Sequence, residues 1–288
     1  MDALLQSITD WIHDLLYAGI TDNLNNTFDT LNYQVGEVAN QVSRTPASFE
    51  PGVFAMIRTI SENVVMPIAG IILTFIACYE LISLVVSHNN LANFESWIFF
   101  KWIFKTFVAV ELITHTFDIT MAVFDVAQHV VNGAAGVING STAIDQSQIQ
   151  AFYHRIDAME IGPMFSLYLQ TFVVQFLMLL LSAIIFVIVY ARMIEIYLTV
   201  SLAPIPMATF GNKEQSMIGQ NYLRSLFALG FQGLLLMICI GIYAVLIHGL
   251  TAAADISGTL WKIMGYTILL AFTLFKTGAI AKSVFHAH

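Results

Sequence analysis

The chain has 288 residues, 58% of them hydrophobic and only 10% charged, with a mean hydropathy of +0.76. Soluble domains carry roughly a quarter charged residues, so this composition excludes a soluble enzyme, a disordered chain and a disulfide-stapled secreted domain. A formal net charge of -8 also argues against a surface built to neutralise nucleic-acid phosphates, which leaves a membrane protein.

The N-terminal stretch MDALLQSITDWIHDLL has Asp2 where a signal peptide carries positive charge and no apolar run long enough for its centre, so no cleaved leader is expected. Leu4, Leu5, Ile8, Trp11, Ile12, Leu15 and Leu16 share one helical face. Leu24, Phe28, Leu31, Val35, Val38 and Val42 then step by fours and threes, as a heptad seam does. The spacing predicts two amphipathic helices within residues 1–63. They either fold back on the same subunit or present the seam as an oligomer contact. Their polar faces carry Asp10, Asp14, Asp22, Asp29 and Glu37 and so have no attraction for anionic lipid, which makes packing on protein the expected mode.

Five stretches have the length of about 20 apolar residues that crosses a bilayer as helix. The first is Val64 to Val86, with Pro67 in its first turn and Glu80 as its one charge. The second, Trp97 to Phe117, holds Lys101, Lys105, Glu111 and His115. Lys101 and Lys105 lie near its start, where they can snorkel, and Trp97 and Trp102 suit an interface. The third enters near Phe165 and runs to Tyr190 without a charge. Ser225 to Ile247 and Trp261 to Lys282 supply the other two. Counted from the ends of their spans, Glu80 and Lys105 lie at a matched depth of roughly 9 to 12 Å, where they could pair. Glu111 and His115, one turn apart, point the same way. Such intramembrane groups read as polar contacts between helices or as a hydrated, proton-responsive path.

Between the second and third spans, Met121, Phe124, Ala127, Val131, Ala134, Ala135 and Ile138 extend the second helix. Ile149, Phe152, Tyr153, Ile156 and Met159 form another helical face, after a turn-rich break at Asn139 to Gln148. Lys101, Lys105, Arg192, Lys213, Arg224, Lys276 and Lys282 fall on flanks that become cytoplasmic if the N-terminus is outside, and Arg44, Arg58, Arg155 and Lys262 are spread thinly on the other side. The positive-inside bias therefore predicts an outside N-terminus and a cytoplasmic C-terminus. The expected organisation is an all-α polytopic membrane helix bundle. Residues 1–63 form outside amphipathic helices, 64–117 the first two spans, 118–164 an outside helical subdomain, and 165–288 three spans with a cytoplasmic elbow at 191–224.

The elbow contains Tyr197 to Phe210, apolar but too short to cross and interrupted by Pro204 and Pro206. Such a segment is either interfacial or re-entrant, and in both cases needs packed neighbours. Arg192 and Glu195 at the end of a long apolar span, then APIPMATF, then Gln232 inside the next span, resemble the VirB6/TrbL inner-membrane proteins of type IV secretion and conjugation machines, in particular the short forms of Gram-positive mobile elements. The resemblance implies a channel or scaffold subunit in a bacterial cell membrane. It further implies a homo-oligomer beside the secretion ATPase and other inner-membrane subunits, with transient contact with the transferred DNA. Gly230, Gly233 and Gly241 on an uncharged span would permit the close helix approach that an oligomer contact uses.

No P-loop, HExxH, GxSxG or CxxC occurs in the chain, so catalysis and cofactor binding have no support in it, and neither a cofactor nor a metal is expected. The competing reading is an ion- or proton-coupled transporter using Glu80, Glu111 and the broken Pro204 segment. It would require a matching broken segment in the first half, which is not found.

Overall fold

A computed structural model describes residues 2–87, 96–138, 146–212, 215–250 and 255–287. Among them there is no strand. The helices are α1 (Asp2–Val42), α2 (Pro46–Phe49), α3 (Pro51–Ile60), α4 (Met66–Ser87), α5 (Ser96–Thr114), α6 (Thr116–Ile138), α7 (Gln146–Asp157), α8 (Ile161–Ser201), α9 (Pro204–Ala208), α10 (Ser216–Leu250) and α11 (Ile256–Val284). A π-turn at Ser61–Val65 joins α3 to α4. Asn139 to Asp145, the first part of the expected turn-rich break, lie outside the described residues.

Among the described residues four stretches are long and apolar enough to cross a membrane: Pro51–Val86, Ile161–Gly211, Ser216–His248 and Ile256–Val284. Trp97–Thr114 and Thr116–Gly136 qualify together as a pair bent by 66°. This is the all-α polytopic bundle that the composition demands. The bend falls at His115, where the charged second span was expected to run straight to Phe117.

Contacts divide the chain into two compact units. The first comprises Met1–Val42, Asn132–Val189 and Leu235–Lys276. Here the two helices expected at the N-terminus are one helix of 41 residues. Gly19 does not break it. A Cβ at that position would lie 2.6 Å from the Tyr168 ring, so glycine serves the close approach of α8 rather than a turn. Asn23 Nδ2 donates to Thr171 Oγ1 at 3.2 Å, and Tyr153 on α7 donates its hydroxyl to Asn25. Burial pushes the Tyr153 hydroxyl above its ordinary pKa. Phe28 lies against Phe152, with ring centroids 6.5 Å apart. Between α10 and α11, the buried hydroxyls of Tyr243 and Thr267 share a 2.6 Å hydrogen bond.

The heptad seam is used within one chain. Leu24, Phe28, Leu31, Val38 and Val42 are all buried, and Val35 is half-buried, by packing within the chain. Leu24→Ala and Leu31→Ala should each cost about 2–5 kcal/mol of stability through cavity formation. Thermal unfolding of the detergent-solubilised protein should show that loss while mass photometry shows an unchanged subunit number. A parallel drop in subunit number would mean that the seam joins copies.

The second unit comprises Ser43–Val131, Tyr190–Leu234 and Thr277–His288. Thr45 caps α2 by accepting from the Ser48 amide, and Pro46 and Pro51 occupy the first turns of α2 and α3, where no intrahelical N-H is needed. Two apolar clusters hold the unit. One gathers Phe49, Ile57, Phe117, Phe124, Met193, Ile196 and Leu226. The other gathers Ala69, Leu73, Ala109, Ile113 and Ala208.

Candidate functional site

The second unit brings the elbow and its flanking polar residues into one neighbourhood. Helix α8 runs on to Ser201, so the elbow starts later than Tyr190 and is itself a helical turn rather than irregular chain. The prolines set its form. In a continuous helix residue 204 would donate to the Val200 carbonyl and residue 206 to that of Leu202, but proline has no N-H. The amides of Ala203 and Ile205 take these carbonyls instead, each at 3.2 Å and three residues back. The chain therefore turns at Leu202 and Ala203, and α9 begins with Pro204 in its first turn.

Helix α9 is a wedge between α4 and α5. Ala208 is fully buried against Ala69, Leu73, Ala109 and Ile113. A Cβ at Gly211 would sit 3.2 Å from Leu73 Cδ1 and 3.6 Å from Ala109 Cβ, so small residues bring the turn into the hairpin. The return is fixed by Thr209, whose hydroxyl donates to the Pro206 carbonyl at 2.7 Å and accepts from the Gly219 amide at 3.0 Å. Gly219 has no room for a side chain: its Cβ would lie 2.7 Å from the Phe210 ring. Tyr222 donates to the Thr199 carbonyl at 3.1 Å.

Arg192 is buried at 6% exposure. Its Nη2 donates to the Leu229 carbonyl at 3.4 Å, and its Nε has no partner. Gly233 makes space for it, since a Cβ there would lie 2.8 Å from Nη2, and Gly230 approaches Ala127 within 3.0 Å in the same sense. These two glycines, read from sequence as possible oligomer contacts, are occupied by intrachain packing, and Gly241 is half-buried. Glu195 pairs with Lys282 at 3.0 Å. Gln232 donates to Thr277 Oγ1 at 3.4 Å and is backed by Gly278, with its own Oε1 unpaired. Each polar residue of the motif thus fastens α8 or α10 to a neighbour, and Lys282 and Thr277 were not evident as partners because they lie far along the chain.

Lys105 donates to Glu80, the pair that matched depth allows, and Trp102 Nε1 donates to the Ala77 carbonyl at 3.1 Å one turn away. Glu111 and His115 come within 3.4 Å at the end of α5, both about half exposed. One placement was not foreseen. Pro46 and Tyr197, expected on opposite faces of the membrane, are joined by a 2.7 Å hydrogen bond from the Tyr197 hydroxyl to the Pro46 carbonyl. A full bilayer cannot lie between them, so the elbow and the segment after α1 share one level of this unit.

Among the described residues no group of His, Cys, Asp and Glu is disposed to hold a metal ion. The arrangement is one of helix-fastening polar groups around a proline wedge, in an all-α membrane protein with four or five helices able to span. The chain belongs to the TrbL/VirB6 plasmid conjugal transfer like protein family, whose model matches residues 31–204, well over half of it. Membership makes it a subunit of a conjugal transfer system, acting in a complex with other subunits. The match includes Arg192 and Glu195 and ends at the first proline of the elbow. No curated protein and no solved structure matches the chain.

Proposed function

We propose that this protein is a non-catalytic channel or scaffold subunit of a conjugative type IV secretion system, seated in the bacterial cell membrane and working as a homo-oligomer beside the secretion ATPase. Family membership over residues 31–204 carries the reading. The lack of any nucleotide-binding or hydrolytic motif supports a role exerted through partners. In this reading Lys101 and Lys105 mark the cytoplasmic end of the α4–α5 hairpin and the N-terminus lies outside. The elbow, seated against Ala69, Leu73, Ala109 and Ile113, is then re-entrant rather than interfacial. Burial of Ala203, Pro204, Met207 and Ala208 supplies the protein surroundings that interrupted backbone needs at membrane depth.

A clean in-frame deletion should abolish transfer of the parent mobile element, and complementation in trans should restore it. Normal transfer without the protein would overturn the reading, whereas lost transfer with unchanged ion uptake would set it apart from a transporter.

A further inference from the structure

The cavity beside Arg192 has two arginines, Arg44 and Arg192, in its wall. It holds about 10 Å³, the space of roughly one water, and Arg44, Gln128, Arg192, Met193 and Gly230 contribute to its wall. Among the described residues no carboxylate lines it. Glu195, one turn along α8 from Arg192, has its Oε1 3.0 Å from Lys282 Nζ. The Arg192 side chain is more than nine-tenths buried, one of its donors is spent on the Leu229 carbonyl, and its Nε donor has no partner.

From these observations we infer that the cavity is a binding site for one small inorganic anion of the halide class, chloride in the cell. A guanidinium only donates hydrogen bonds. The free Nε donor lacks an acceptor, and Glu195, which acts on Arg192 electrostatically, is held by Lys282; a water molecule would supply an acceptor but no charge. Arg44 at the rim adds a second positive charge and Gln128 an amide donor, although both residues also make other contacts. The low dielectric around the buried Arg192 strengthens its attraction for an anion, and the exposed Arg44 adds a weaker, screened one. Chloride is somewhat larger than water, and the parts of the wall that must yield are the flexible side chains of Arg44, Gln128 and Met193. The bound ion would tie α8 to α6 and to the turn before α2, at the base of the elbow.

The test uses the full-length protein in detergent at constant ionic strength, with sodium gluconate replaced stepwise by sodium chloride. The melting temperature should rise saturably with chloride, and Arg192→Gln should remove the chloride dependence while Arg192→Lys keeps part of it. Should Arg192→Gln fail to fold, Gly230→Ala retains both cations, adds a methyl to the wall against Ala127, and should equally remove the dependence. Bromide-exchanged wild-type protein should show an anomalous peak within hydrogen-bond reach of Arg192 Nε. Equal melting in chloride and gluconate, a shift that survives the substitution, or water density alone at Nε would each overturn the assignment.

Discussion

Glu80→Ala and Lys105→Ala should each sharply reduce the amount of membrane-inserted protein, and the exchange of the two residues, Glu80→Lys with Lys105→Glu, should recover most of it. The pair lies on the hairpin roughly 10 to 14 Å along the helices from their joined ends. Side-chain exposure of 38% for Lys105 and 21% for Glu80 shows that the chain encloses the pair only in part. Removing one partner leaves a charge in an apolar setting, a cost on the order of 3 kcal/mol for a central position. That is about a hundredfold in an insertion equilibrium. The exchange restores neutrality, and the register it needs is held independently by Trp102 on the Ala77 carbonyl. Quantitative immunoblotting of carbonate-washed membranes gives the readout. If the exchanged protein is no more abundant than either single variant, the two side chains do not act as a pair.

That pairing was legible because depth in a bilayer follows from residue counts alone. The five apolar stretches were legible for the same reason. Contacts made by small residues leave no such trace. Ala69 and Ala109 seat the wedge residues Ala208 and Gly211, yet none of the four belongs to a periodic apolar pattern that marks a partner. Gly19, within the segment read as two helices, proves to be a notch for Tyr168 inside one. Glu195 and Gln232 stood out through resemblance to a family, but their partners Lys282 and Thr277 lie 87 and 45 residues away. The hydrogen bond from Tyr197 to Pro46 spans 151 residues and brings together two segments that charge density had placed on opposite sides. Positive-inside counting weighs flanks and does not register contacts between segments far apart in the chain.

The wedge itself can be caught chemically. In a background lacking Cys78 and Cys239, the pair Gly211→Cys and Ala109→Cys should form a disulfide on mild oxidation, because the two Cβ positions are 3.6 Å apart, within the usual disulfide range. Adding Pro204→Ala and Pro206→Ala should abolish the cross-link. With both amides restored, the Val200 and Leu202 carbonyls regain donors four residues on, and α8 can continue past Ser201. The segment from Ser201 to Phe210 would then leave the space between α4 and α5 and expose the seat at Ala69 and Ala109. Conjugal transfer should be lost in that variant while membrane insertion persists. A milder probe gives the same direction: Ala208→Leu overfills a fully buried site and should cost about 1–3 kcal/mol, whereas Ala208→Ser should be tolerated. Absence of the cross-link with the prolines intact would place the elbow outside the hairpin, and normal transfer with both prolines replaced would deny the wedge any part in function.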